Sequence, residues 1–504
     1  MNGKKHLTIH LLLLLFLITV NPVCAQINDL ERVSPESQGI SSSDIEELFD
    51  EMVHSKDGEP HGIMILRNGK VIGELHPKPI LAKESHTIYS ASKTFVGIAV
   101  GLAVDEQKLK ITDRVVSFFP DEIRTISISK ELAKLTVQDL LVMCSGIKRD
   151  WQLRSKETEW IKAFLSKEIK NPGETFEYDS MVSYLLSAIV QRATGMKMLD
   201  YLKARIFTPM HITEVEWEES PEGINTGGWG LYMQVESMAK VGQLLLDKGK
   251  WNGQQLISEK WINEMMKVHK KTGMVSNFGY HIWYQEKTKT YRADGAFGQY
   301  IIISPKTKMV VAITQANRGK GLKEQLMVYD KLMSRVSDTP LKEGKAYKHL
   351  IKKSYTLPIV DGKGKSSNKE KFFGKEIPLK KGNTLDWKSV QINKKGKQLQ
   401  LTVLTTGDER YTIKAGYKKW VSASTNVCPP YSIRANDRFR GIHRDFNVSG
   451  CYGWKTEDEL IIRYLFTNWI SGGDLTFHLK EDGKIEVTVR ENTNTKNESV
   501  KLTK

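Results

Sequence analysis

Tyr89-Ser90-Ala91-Ser92-Lys93 leads directly into Thr94-Phe95-Val96-Gly97-Ile98-Ala99-Val100-Gly101-Leu102-Ala103-Val104. The second stretch is apolar on every side, which predicts a helix buried through the middle of a domain instead of one lying on its surface. Residues three apart share a helix face, so the Lys93 amine can stand beside the Ser90 hydroxyl and take its proton. Burial disfavours the ammonium form and suits Lys93 to act as a neutral base near neutral pH. Alone, the spacing carries little weight, because a helix-capping serine with a nearby surface lysine produces the same pattern.

Working outward, residues 44–53 read as a helix, and residues 62–66 and 71–75 as strands joined at Asn68-Gly69, a hairpin signal. Downstream, Val182, Leu185, Leu186, Ile189 and Val190 fit one helical face that stops at Gly195. Residues 299–304 and 309–314 form a second hairpin around Pro305-Lys306-Thr307-Lys308, followed by a last helix over 322–336. Strands at both ends with helices between them predict an α+β fold, in which distant parts of the chain close one antiparallel sheet beside a helical region. Beyond residue 369, short alternating segments separated by Gly and Asp turns predict a C-terminal all-β domain, a small barrel or sandwich.

A chain of 504 residues is longer than one core usually organises. The expected division is a signal peptide over 1–25, a catalytic domain over 26–340, a lysine-rich linker over 341–368 and the β domain over 369–504. Lys4 and Lys5 precede an apolar run from Leu7 to Val20, and Val23-Cys24-Ala25 supplies small residues for cleavage. The run is short of the roughly 20 residues that span a bilayer, and no later segment is apolar enough to cross. Cys24 offers lipidation as an alternative, although Asn21-Pro22-Val23 is a poor lead-in for it. The expectation is an exported protein, periplasmic or secreted, with no transmembrane segment.

The net charge of +16 suggests a nucleic-acid partner at first sight. Its distribution argues against one. Residues 341–400 hold 16 lysines, 5 acidic residues and no arginine. These lysines come as singles and pairs, as on a solvated linker and strand edge. After loss of Cys24, Cys144 reads as a buried thiol, while Cys428 and Cys451 can pair in an oxidising compartment. No cysteine or histidine spacing suits a metal, so neither a metal nor another cofactor is expected. Oligomeric state is left open.

Two further segments give Ser90 and Lys93 context. Pro172-Gly173 leads to Phe176-Glu177-Tyr178-Asp179-Ser180 at a helix start, and Ala293-Asp294-Gly295-Ala296-Phe297-Gly298-Gln299 opens a strand whose glycines let a substrate lie close to backbone amides. The order Ser-x-x-Lys, Tyr-x-Ser, glycine-rich strand resembles the serine β-lactamase and penicillin-recognising hydrolases. The likeness is to the class C branch, with its esterases, D-amino-acid peptidases and 6-aminohexanoate-dimer hydrolases. Leu135-Thr136-Val137-Gln138-Asp139-Leu140-Leu141 and Gly227-Gly228-Trp229-Gly230 also look like the family.

The resemblance implies that Ser90 attacks the acyl carbon, Lys93 takes or relays its proton, and Tyr178 shares the base role and returns a proton to the leaving group. The amides of Ser90 and Ala296 would form the oxyanion hole. Ser180, Asp294 and Gly295 fall at substrate-binding positions, and Trp151 and Trp229 either line the pocket or serve as core aromatics. The third motif departs from the family, since Ala293-Asp294-Gly295 lacks the lysine or histidine that helps bind a substrate carboxylate. A literal Lys271-Thr272-Gly273 precedes the wrong strand and reads as a loop. The expected activity is acyl-enzyme hydrolysis of a small ester or amide that lacks a required carboxylate. A D-amino-acid peptidase or penicillin-binding-type cell-wall enzyme, and an inactive binding protein with this fold, are the alternatives.

Overall fold

The computed structural model describes residues 30–150, 152–319, 321–362, 364, 366–431 and 438–503. The expected signal peptide and Trp151 lie outside these residues. The first helix, α1 (Ser42–Val53), is capped by the Ser41 side chain and buries Ile45, Leu48, Phe49 and Met52, a helical stripe. A hairpin of β1 (Gly58–Arg67) and β2 (Lys70–Leu75) follows. The main helices between the sheet segments are α2 (Ser92–Asp105), α3 (Ser180–Thr194) and α4 (Val235–Leu246). The chain then returns through β3 (Ser276–Phe278), β4 (Trp283–Gln285), β5 (Thr290–Gly295), β6 (Gln299–Ser304) and β7 (Met309–Asn317) to α5 (Gly321–Lys331).

These strands make one antiparallel sheet in the order β2-β1-β7-β6-β5-β4-β3. Ile63 stands opposite Ile313 where the first and last segments meet. Both faces are covered. Ile63, Ile65, Val311 and Ile313 pack with α1 and α5, while Met64, Leu66, Val310 and Ala312 face the helical region. That two-sided burial is why these strands read as near-continuous apolar runs.

Helix α2 is buried from Ser92 through Ala103, as its unbroken apolar sequence predicts. Gly101 has a packing reason, since a Cβ there would lie 2.0 Å from the Trp261 indole nitrogen. Helix α3 begins at Asp179, whose side chain accepts the Met181 amide proton, and ends at Gly195 with φ +72°.

The C-terminal domain is a single curled ten-stranded sheet running from Glu376–Pro378 to Val500–Lys501. Its pairing is antiparallel except between Arg410–Tyr417 and Phe446–Thr456. The Lys380 amide donates to the Leu502 carbonyl at 2.6 Å, drawing the two ends of the sheet together. Leu399, Leu401 and Val403 alternate inward onto a core with Trp387, Ile413 and Phe477.

The described lysines of the stretch expected as a solvated linker are exposed, all but Lys353, and the stretch that carries them is also tied down on both sides. Helix Lys345–Leu350 lies on α1, and Lys353 Nζ sits 2.6 Å from both Glu46 and Asp50. Leu357 is buried and its amide donates to Lys78, while the Gly364 amide donates to Trp454 in the β domain. The partners of these groups are about 90 to 300 positions away, beyond the reach of local charge patterning. Cys428 and Cys451 do not pair; both thiols are free, Cys451 buried and Cys428 exposed. Among the described residues no helix is long and apolar enough to cross a membrane, and no group of three or more His, Cys, Asp or Glu side chains could hold a metal ion.

Candidate active site

Ser90 occupies the middle of a short 3-10 turn, Tyr89–Ala91, that runs straight into α2. One helical turn on, the Lys93 amine lies 3.1 Å from the Ser90 hydroxyl, 3.0 Å from the Ser180 hydroxyl and 2.7 Å from the Gly228 carbonyl oxygen. Lys93 is buried, and burial, reinforced by the nearby Arg154 charge and opposed by Asp179, lowers its pKa to about 7. The Tyr178 ring comes within 4.8 Å of the same amine and lines the cleft together with Ser90. Burial pushes the Tyr178 phenol well above its ordinary range, so it stays protonated at neutral pH. The arrangement therefore holds one group able to accept the serine proton near neutrality, Lys93, and one able to donate, Tyr178.

The backbone explains why the segments converge. Gly228 lies so close to α3 that a Cβ on it would meet the Ser180 carbonyl oxygen at 2.6 Å. At the end of β5, a Cβ on Gly295 would meet the Ile88 carbonyl oxygen at 2.3 Å and the Ala91 amide nitrogen at 3.2 Å. Only glycine lets this strand end press against the nucleophile turn. Gly295→Ala is expected to push the strand off that turn and lower turnover by about tenfold or more while the protein still melts cooperatively. Wild-type turnover in the alanine variant would contradict this reading.

A cleft of about 500 Å³ opens over Ser90, within the usual range for small-molecule sites. Tyr178, Ser180, Trp229, Asp294 and Ala296 line it together with Ser90. Trp229 is both core and wall, 4% exposed, with the Arg154 guanidinium 5.0 Å from its ring. Lys271 is exposed and is not among the lining residues; Thr272 spends its hydroxyl on the Ser276 carbonyl oxygen, as expected of a loop.

Several lining groups escaped the sequence reading. Arg292 reaches Asp294 at 2.7 Å and Ser276 at 3.0 Å. The two residues of the Arg292–Asp294 pair share one face of β5, and strand alternation could have found them. Trp283 stands 5.6 Å from Tyr178, ring to ring. From the C-terminal domain come Tyr431 and Arg438, and a buried ion pair holds Arg438 2.9 Å from Glu218. With Arg154, these make three guanidinium groups on the cleft wall. A third motif without a cation therefore does not leave the cleft wall without one, although Asp294 pairs with Arg292 and Glu218 with Arg438.

The model of the family described as Beta-lactamase matches residues 45–328, more than half of the chain and the segments that carry Ser90, Lys93, Tyr178 and Ala296. The chain belongs to the β-lactamase family. It is 18% identical over 276 residues to the 6-aminohexanoate-dimer hydrolase of Paenarthrobacter ureafaciens, covering 49% of this chain and 70% of that protein. It is 26% identical over 174 residues to protein flp of Staphylococcus aureus (strain COL), covering 31% of this chain and 34% of flp. A candidate 6-aminohexanoate-dimer hydrolase from Bacillus anthracis superposes with a TM-score of 0.52 at 19% identity, over 60% of this chain and 87% of its own. The β-lactamase-family fold, an antiparallel sheet with a helical region, is thus joined here to a curled all-β domain. The family's members are serine hydrolases of this fold.

Proposed function

We propose that this chain is an exported serine hydrolase that cleaves a small ester or amide through an acyl-enzyme. The observation that carries the reading is the Lys93 amine, 3.1 Å from the Ser90 hydroxyl, with its pKa lowered to about 7. Lys93 takes the Ser90 proton as the serine oxygen bonds to the acyl carbon, and the amides of Ser90 and Ala296 stabilise the oxyanion. The leaving group departs with a proton delivered through Tyr178. Water then attacks the ester on Ser90, giving its proton to the same base, which returns it to the Ser90 oxygen as the bond to the acyl carbon breaks and the acid leaves. Export rests on the apolar run from Leu7 to Val20 and the small residues before Gln26. The dimer-hydrolase relative, by its name, supports an amide as readily as an ester.

A second reading, a substrate bearing a carboxylate such as a peptide ending in a D-amino acid, is favoured by Arg154, Arg292 and Arg438 on the cleft wall. Steady-state kinetics on neutral esters and amides, their carboxylate-bearing analogues, a D-alanyl peptide and a chromogenic cephalosporin separate the two. Faster turnover of the neutral compounds supports the first reading, faster turnover of the anionic ones the second, and no turnover of any of them an inactive binding protein.

The same geometry sets a pH dependence. Lys93 works as a base only when neutral, so activity falls as pH drops through about 7. The expected kcat/KM rises about tenfold between pH 6 and pH 8 and then levels. Because the Arg154 charge helps lower the Lys93 pKa, Arg154→Met should move the inflection to higher pH. A flat profile between pH 6 and pH 8 would remove Lys93 as the base.

A further inference from the structure

Tyr89, the residue immediately before the nucleophile, does not bury its side chain with its neighbours. Ala91 and Phe95 enter the helical core of the catalytic domain, whereas Tyr89 and Tyr232 belong to the hydrophobic core of the C-terminal domain. The Tyr89 ring is 5.2 Å from Phe297, 5.6 Å from Trp469 and 6.4 Å from Tyr431, centre to centre. Trp469 in turn stacks on Tyr232 at 5.8 Å, packs against Tyr431 at 4.7 Å and donates its indole proton to the Pro430 carbonyl oxygen. The catalytic domain therefore supplies a tyrosine that the β domain holds.

The Tyr89 backbone makes this grip consequential. Its φ is +47°, a left-handed conformation that a bulky residue adopts only when its surroundings impose it. The Tyr89 carbonyl accepts the Ser92 hydroxyl proton, and the Ser92 oxygen accepts the Leu231 amide at 3.3 Å, so the turn is braced from within the catalytic domain as well. That brace fixes the carbonyl, and the aromatic cluster fixes the side chain. Between them they set the direction in which the next residue, Ser90, leaves the turn.

We propose that the C-terminal domain is part of the nucleophile's mounting, with Trp469 as a positioning residue that acts through Tyr89 to hold Ser90 in attacking geometry. Trp469 touches no reacting atom in this account. Its effect is on the rate constant of acylation, since small displacements of a nucleophile are costly. The proposal rests on Ser90 being the nucleophile.

The test is the kinetics of covalent labelling of the full-length protein by a fluorophosphonate, followed by intact mass and located by peptide mapping, for wild type, Trp469→Phe and Trp469→Leu. Labelling amplitude reports the fraction of folded sites, and the rate constant reports how each folded site is arranged. Expected are full amplitude in all three proteins, a rate constant lowered roughly ten- to a hundredfold in Trp469→Leu, and partial recovery in Trp469→Phe. A purely structural role lowers amplitude and melting temperature and leaves the rate constant at the wild-type value, which would overturn the proposal. If Trp469→Leu does not fold, Trp469→Phe decides: a wild-type rate constant overturns the proposal, a reduced one at full amplitude supports it. Absence of label on Ser90 in the wild type overturns the nucleophile assignment and the proposal with it, an outcome distinct from equal labelling of Ser90 in all three proteins.

Discussion

Ser90→Ala is expected to leave a folded protein whose hydrolysis of every substrate in the panel falls by at least about 10⁴-fold. Alanine is at home in a helical turn, and Lys93 keeps its contacts with Ser180 and Gly228 when the Ser90 hydroxyl is gone. The fold therefore loses one hydrogen-bonded hydroxyl, while the chemistry loses the atom that bonds to the acyl carbon. Purified Ser90→Ala protein with undiminished turnover would end the assignment. Neighbouring Ser92 is no replacement nucleophile, because it is fully buried with its hydroxyl committed to the Tyr89 carbonyl oxygen.

Lys93→Ala should cost nearly as much, about 10³-fold or more, since a nucleophile and its base act as a unit. Lys93→Arg distinguishes a base from a charge. A guanidinium stays protonated at all working pH values and cannot take the serine proton, so the arginine variant is expected to be as slow as the alanine one. Recovery in Lys93→Arg would assign Lys93 an electrostatic role, and a loss below about tenfold in Lys93→Ala would make the residue structural. Both measurements are steady-state kinetics on the best substrate of the panel, with circular dichroism confirming the fold.

The groups gathered around Ser90 divide by how their positions are encoded. Ser90 and Lys93 are linked by helix periodicity, and Tyr178 stands at the start of a helix whose apolar face is plain in the sequence, so local pattern and segment order lead to them. The sheet was legible for a similar reason, because its two hairpins have clear turns at Asn68-Gly69 and at residues 305–308. The Gly228 carbonyl, which anchors the Lys93 amine, was not, because a backbone acceptor leaves no mark in side-chain chemistry. Arg438 and Tyr431 were invisible for another reason: they reach the cleft only because the β domain docks there, through contacts such as Arg438 with Glu218, 220 positions apart. Lys353 likewise finds Glu46 and Asp50 across some 300 residues, and so fastens a stretch whose other described lysines are exposed as the charge run suggests.

The most direct test of the account is the mass of the full-length protein after brief exposure to a fluorophosphonate or an activated ester, with the modified residue located by peptide mapping. The account predicts one adduct per chain, on Ser90, formed faster at pH 8 than at pH 6 and absent from Ser90→Ala. An adduct on any other residue, or none on the wild type under conditions where a known serine hydrolase is fully labelled, would contradict it.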